Sequence, residues 1–278
     1  MSESRIMDWD DAYSNAAHIP EGPTYPDRWA ASAAKFREQM LGAGRLRQDI
    51  AYGPHERNRF DLFLPEGTPR GLVVFVHGGY FIATDKSTWS HLAAGSLAHG
   101  YAVALPSYVL CPEASIPQIG QQVAAAIRAA AAAAEIAGPI HLAGHSAGGH
   151  LVARMSTVTT PLDAGTLERV RKTVSISGLH DLRPLRNTRM NEALRLDAET
   201  ARNESAALLD PLPGTDLICW VGADERPEFL RQNALPQNLW SSFDVRVQSV
   251  EEPERHHYNV VDGLTDPDHR LLRTLLDL

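Results

Sequence analysis

The sequence predicts an α/β fold: a mostly parallel sheet covered by helices on both faces. Three observations predict it. Short apolar runs suited to buried strands recur along the chain and alternate with helical stretches. One such run, in PIHLAGHSAGGHL (Pro139 to Leu151), leads directly into a G-x-S-x-G pattern. Another, GLVVFV (Gly71 to Val76), leads directly into HGGYF.

Strands are expected near Asp61 to Phe63, Leu72 to Val76, Ala102 to Leu105, Ile140 to Ala143, Thr173 to Ile176, Leu217 to Val221 and Val245 to Val250. The Ala-rich segment Gln121 to Ile136 has a low-complexity composition, yet alanine is the best helix former and Ile127 and Ile136 supply apolar anchors. It is read as a crossover helix between parallel strands. From Arg183 to Pro213 the strand pattern lapses into polar helical pieces, which are expected to form a small cap near the mouth of a site. The N-terminal segment, residues 1–40 and most clearly Trp9 to Phe36, is expected to help cover the pocket. Sheet-based chains of this length commonly form one domain, and no Gly-, Ser- or Pro-rich linker divides this one, so a single domain is expected.

In GHSAG, Ser146 stands between a strand and a helix that begins on small residues, with the helix expected over Ala147 to Ser156. A serine on such a tight turn presents its hydroxyl outward as a nucleophile, and side chains at Gly144 or Gly148 would collide with neighbouring chain. The N–H of Ala147 then lies at a helix start, where unpaired donors and the positive dipole end can stabilise an oxyanion. A plain flexible loop could also carry this string; the flanking strand and helix signals argue for the elbow.

The second donor set of such sites comes from a glycine-rich loop after an earlier strand. Gly78 and Gly79 fit it, because glycine lets backbone N–H groups turn inward and lets a reacting carbonyl approach. Tyr80 and Phe81 follow directly and could form an aromatic wall of the substrate pocket or simply pack in the core.

These motifs, in this order, resemble the α/β-hydrolase superfamily and its hormone-sensitive-lipase-like esterases, over most of the chain. SYVLCPEASIP (Ser107 to Pro117) is similar to a stretch those esterases carry after the next strand. DAYSNAAHIP (Asp11 to Pro20), HGGYF, SGLHDLRPL (Ser177 to Leu185), VGADERPEFLRQ (Val221 to Gln232) and HHYNVVDGL (His256 to Leu264) resemble one branch, the arylformamidases or kynurenine formamidases. The resemblance implies an α/β-hydrolase fold with a small helical cap and a serine hydrolase. It also implies an acid and a histidine following the serine in that chain order.

For the acid, LICWV (Leu217 to Val221) ends in GADE, so Asp224 and Glu225 both lie at a strand's carboxyl edge, where α/β sheets place their sites. The family pattern selects Glu225; Asp181 in SGLHD is a further candidate. Each could equally be a solvated loop carboxylate. For the base, the family's histidine directly precedes an aromatic residue, which selects His257 before Tyr258, with His256 as the alternative. A neutral imidazole can take the serine proton and later return it to a leaving group.

The chain carries 26 Lys and Arg against 34 Asp and Glu, a formal net charge of −8, and 44% hydrophobic residues. That balance and the lack of a basic stripe argue against nucleic acid as a partner. The start, MSESRIMDWDD, has no charged-then-apolar leader and no apolar run approaches a membrane span, so a cytoplasmic location and no membrane partner are expected. Cys111 and Cys219 fall in or beside apolar stretches and read as buried thiols. Twelve histidines raise the question of a hydrolytic metal. There is no H-E-x-x-H helix or Cys cluster, and His141 and His145 straddle a strand end, so no metal and no cofactor are expected.

The expected activity is cleavage of a small amide or ester through an acyl-enzyme. If the resemblance extends to substrate, the acyl group is formyl and the leaving group an aryl amine, as in N-formylkynurenine in tryptophan breakdown. A general short-chain carboxylesterase is the main alternative, and a silent relative that only binds is a third. Assembly into a homo-oligomer is left open by the sequence.

Overall fold

The computed structural model describes residues 8–133 and 136–278; residues 1–7 of the expected N-terminal cover and leader-free start, and 134–135 of the expected crossover helix, lie outside the described residues. Its centre is an eight-stranded sheet in the order β1-β2-β4-β3-β5-β6-β7-β8. The strands are β1 (Leu46–Ala51), β2 (Arg59–Phe63), β3 (Leu72–Val76), β4 (Ala102–Pro106), β5 (Ile140–His145), β6 (Val170–Ile176), β7 (Asp216–Gly222) and β8 (Arg246–Glu252). β1 and β2 pair antiparallel at one edge, and β4 through β8 run parallel with β3. The fold is that of the α/β hydrolases.

The central strands read as continuous apolar runs because both faces of a parallel sheet are covered. Leu72, Val74 and Val76 pack into one core with Phe60, Leu62 and Leu142, while Val73 and Phe75 pack into a second core with Phe63, Val174 and Trp220. This period of two sends alternate residues to opposite faces. Helix Ile116–Ala133 covers the first face through Ile116, Ile119, Val123 and Ile127, spaced by three and four, and the closing helix Arg270–Leu276 covers the second through Leu271, Leu272, Leu275 and Leu276.

Three expectations need correction. β1 was not anticipated: its residues LRQDIA are mostly exposed, so no apolar run or clean alternation marks it. It is an edge strand carrying charges and a register irregularity, features that discourage pairing with another chain. The crossover helix starts at Ile116, five residues before Gln121, because Pro117 sits in the first turn, where a missing N–H costs nothing. The helix after GHSAG ends at Arg154 rather than Ser156.

Between β6 and β7 the chain forms short helical turns, Arg183–Asn187, Asn191–Leu194, Ala198–Asn203 and Ala206–Leu208, within the segment read as a cap. Leu185, Leu194, Leu196 and Ala201 anchor it in the first core. Among the described residues, no helix is long and apolar enough to cross a membrane. Cys111 and Cys219 are free and buried, and burial pushes the Cys111 thiol up to about 11.

Candidate active site

β5 delivers Ser146 to the carboxyl edge of the sheet. The serine has φ 56° and ψ −117°, a left-handed backbone that side chains adopt only under constraint, and the helix Ala147–Arg154 starts at the next residue. Its N–H donates to the Ile176 carbonyl at 2.8 Å, which ties the turn to β6. Close packing explains the glycine at 148: a Cβ there would fall 1.9 Å from the Val76 carbonyl oxygen. The N–H of Ala147, first in its helix, has no intrahelical acceptor.

The HGGYF loop lies against this turn. A Cβ on Gly78 would come within 3.0 Å of the Ser146 Cβ and 2.8 Å of the His145 carbonyl oxygen, so only glycine allows the approach. The Gly78 carbonyl accepts from His77 Nδ1 and from Thr84 Oγ1, each at 2.8 Å. Because a trans peptide sets C=O and N–H on opposite sides, the Gly79 N–H points away from that pair. Among the described residues, no hydrogen bond engages the N–H of Gly78 or Gly79. His77 is fixed by stacking on Tyr108 at 4.3 Å, and burial lowers its pKa to about 4.

On the other side, Glu225 follows β7 and His257 follows β8. His257 Nδ1 donates to Glu225 Oε2 at 2.6 Å, which leaves the Nε2 lone pair as the acceptor. Glu225 Oε1 accepts from Ser177 Oγ at 2.5 Å and from the Gly222 N–H at 2.9 Å. The Glu225 side chain is fully buried, whereas Asp224 is exposed. Asp181 is held by Arg183 at 2.8 Å, and His257 Nδ1 takes Glu225 as its partner instead.

The two sides meet through the residue before the serine. His145 Nε2 donates to the His257 carbonyl at 2.8 Å, and the two rings lie 4.7 Å apart. Burial, with the nearby His257 ring, holds the His145 imidazole well below its ordinary range, so it is a neutral donor here. Phe229 also packs on the His257 ring, at 4.5 Å between ring centres. His256 turns outward to Tyr25 Oη at 3.2 Å.

Ser146, Glu225 and His257 thus follow the carboxyl ends of β5, β7 and β8 at one edge, with Gly78 packed on Ser146 and Ala147 next to it, and among the described residues no hydrogen bond joins Ser146 to His257. Such a set can carry nucleophilic acyl transfer, with a hydroxyl, an oriented imidazole and backbone donors for a developing negative charge. Tyr80 is part-buried and its hydroxyl contacts the N-terminal segment, while Phe81 is fully buried and meets the His150 ring edge-on at 5.5 Å. Among the described residues, no group of three or more His, Cys, Asp or Glu side chains is arranged to hold a metal.

Sequence reasoning missed Ser177, Phe229 and the N-terminal residues Tyr13 and Asn15. Ser177 has φ 51°, and its position directly after β6 in SGLHDLRPL was the one available signal. Tyr13 and Asn15 lie in DAYSNAAHIP, which carries part of the resemblance, but nothing local indicates their contacts, whose partners are 65 or more residues away.

Comparison with known proteins agrees with this fold. The family of the alpha/beta hydrolase fold matches residues 73–212. Kynurenine formamidase of Danio rerio is 27% identical over 249 residues, covering 87% of this chain and 84% of its own length. That of Salmo salar is 26% identical over the same length. A solved structure from a Silicibacter species, named as a candidate thioesterase, is 49% identical with a TM-score of 0.90, covering 98% of this chain and 100% of that one. A carbohydrate esterase from gut microbiota has the same fold, with a TM-score of 0.66 at 19% identity over 84% of this chain and 94% of that one.

Proposed function

The chain belongs to the α/β-hydrolase family, in its esterase-like part with kynurenine formamidase relatives, and on that premise we propose that it cleaves small amides or esters through an acyl-enzyme on Ser146. The observation that carries the reading is the buried Glu225–His257 pair, joined at 2.6 Å and braced on the residue next to Ser146.

In the proposed mechanism Ser146 Oγ attacks the substrate carbonyl carbon and its proton passes to His257 Nε2. Glu225, held by Ser177 and the Gly222 N–H, keeps Nδ1 protonated and stabilises the imidazolium. The N–H groups of Gly78, Gly79 and Ala147 bind the oxyanion; loss of one such donor typically costs about 10²–10³ in rate. The imidazolium returns its proton to the leaving amine or alcohol as the C–N or C–O bond breaks. Water, deprotonated by His257, then cleaves the acyl-enzyme and regenerates the serine.

A formyl acyl group fits a confined site. Ser146 is 2% exposed and His257 3% exposed, which favours a small acyl portion. The kynurenine formamidase relatives supply the rest of the reading, so the substrate class we propose is an N-formyl aryl amine such as N-formylkynurenine. A second reading, a short-chain ester or thioester hydrolase, is favoured by the 49% identical candidate thioesterase. Turnover of N-formylkynurenine, p-nitrophenyl esters of rising acyl length and an acetyl thioester should be compared by kcat/KM. The formamidase reading expects the formamide to lead; a clear lead for the ester or thioester would replace it. Ser146→Ala should abolish turnover of p-nitrophenyl acetate with the fold intact.

A further inference from the structure

The HGGYF loop has an unusual backbone. Tyr80 and Phe81 are consecutive non-glycine residues with φ 51° and 64°, following Gly79 at φ 108°. Two adjacent side-chain-bearing residues hold left-handed conformations only when surroundings fix them. For Phe81 the fixing is plain: its ring is in the first core, and its carbonyl accepts from the Cys111 N–H at 2.8 Å. Tyr80 is fixed differently. Its hydroxyl accepts from Asn15 Nδ2 at 2.7 Å and donates to the Tyr13 carbonyl.

Asn15 is itself only 4% exposed, and Tyr13 1%. Tyr13 is pinned to the far side of the site: its hydroxyl donates to Glu228 Oε1 at 2.7 Å and accepts from Gln232 Nε2 at 3.2 Å. Its ring meets Phe229 edge-on at 6.0 Å, and Phe229 is the ring that packs on His257. Asp11 pairs with Arg226, one residue after Glu225. A short stretch of the N-terminal segment therefore spans from the loop carrying Gly78 and Gly79 to the helix flanking Glu225 and His257.

We propose that Asn15 is a positioning residue of the oxyanion loop: with the Tyr13 carbonyl it clasps the Tyr80 hydroxyl and so holds the Gly79 N–H, one residue upstream, in place for the reaction. This rests on the mechanism proposed above. The clasp fixes donors that act chiefly when negative charge develops, so its loss lowers kcat more than it weakens ground-state binding. Asn15 and Tyr80 act as one unit, so their losses do not add.

The test uses Asn15→Leu, which keeps volume without the donors, Tyr80→Phe, which keeps the ring, and the double variant. Rates on p-nitrophenyl acetate are normalised to folded enzyme by fluorophosphonate titration. Each single variant should lower kcat about tenfold or more with KM changed less than about threefold, and the double should lose no more than the worse single. Affinity for a trifluoromethyl ketone, which forms a tetrahedral oxyanion adduct, should fall by the same factor as kcat, with the pH midpoint of kcat unmoved. Wild-type kcat in Asn15→Leu, additive losses, or an unchanged ketone affinity would overturn the clasp. A Ser146→Ala control separates the two ideas: turnover retained there defeats the mechanism itself, whereas an inactive control beside a fully active Asn15→Leu defeats only the clasp.

Discussion

The Glu225 carboxylate meets Nδ1 of His257 at 2.6 Å, across 32 residues of chain, with both side chains buried. The neighbouring Asp224, equally acidic in the sequence, is exposed. A carboxylate in that place fixes the imidazole tautomer and stabilises the imidazolium formed when the serine proton is taken. Glu225→Gln should therefore lower kcat by about 10³–10⁴, while Asp224→Asn should stay near wild type. Steady-state kinetics of the two variants on p-nitrophenyl acetate checks this; equal losses would remove Glu225 from the mechanism.

Ser177 donates to the carboxylate oxygen of Glu225 that His257 does not use. A hydrogen bond to a charged group is worth about 1.5–3 kcal/mol, so Ser177→Ala should cost about tenfold or more in kcat/KM. Ser177→Thr, which retains the hydroxyl, should recover part of it. A loss unrelieved by threonine would point to packing instead.

Two glycines should respond in opposite directions. Gly148→Ala places a Cβ 1.9 Å from a backbone oxygen, so the elbow cannot form unchanged and soluble yield and activity should both collapse. Gly120 sits within helix Ile116–Ala133, and apart from its chain neighbours and its own helix backbone no atom lies within 4 Å of its would-be Cβ. Gly120→Ala should raise stability by about 0.5–1 kcal/mol, measured by urea unfolding, because alanine loses less backbone entropy in a helix.

Three wholly buried histidines make the fold acid-sensitive. Burial lowers His77 and His180 to about 4 and His150 to about 3. Unfolded, each would titrate near 6.5, so below that pH the unfolded chain binds more protons and stability falls as pH falls. The full contribution is present above about 6.5 and is lost progressively down to about 4 and, for His150, about 3. Each adds up to about 1.4 kcal/mol per pH unit within that window. Urea midpoints taken from pH 7.5 to 4.5 should drop steeply, and a flat profile would show these imidazoles to be hydrated.

Much of this was legible because the central strands are covered on both faces. Leu72–Val76 and Ile140–His145 are apolar runs that end in glycine-rich turns, and both motifs stand where those strands end. β1 was not legible, since an exposed edge strand is specified by its pairing with β2 rather than by its own composition. Glu225 and Asp224 could be told apart only through family pattern, because adjacent carboxylates differ in which way a turn aims them. Tyr80 reads from the sequence as a pocket aromatic or a packing residue; that its hydroxyl reaches Asn15, a contact 65 residues distant, is something local sequence does not encode.

The most direct measurement is covalent labelling with a fluorophosphonate followed by peptide mapping of the intact and His257→Ala proteins. The proposed mechanism predicts one adduct, on Ser146, with turnover lost in proportion to labelling and the reaction slowed at least a hundredfold without the imidazole, on the order of what removal of a general base costs. An adduct on another residue, or full turnover by protein labelled stoichiometrically at Ser146, would contradict it.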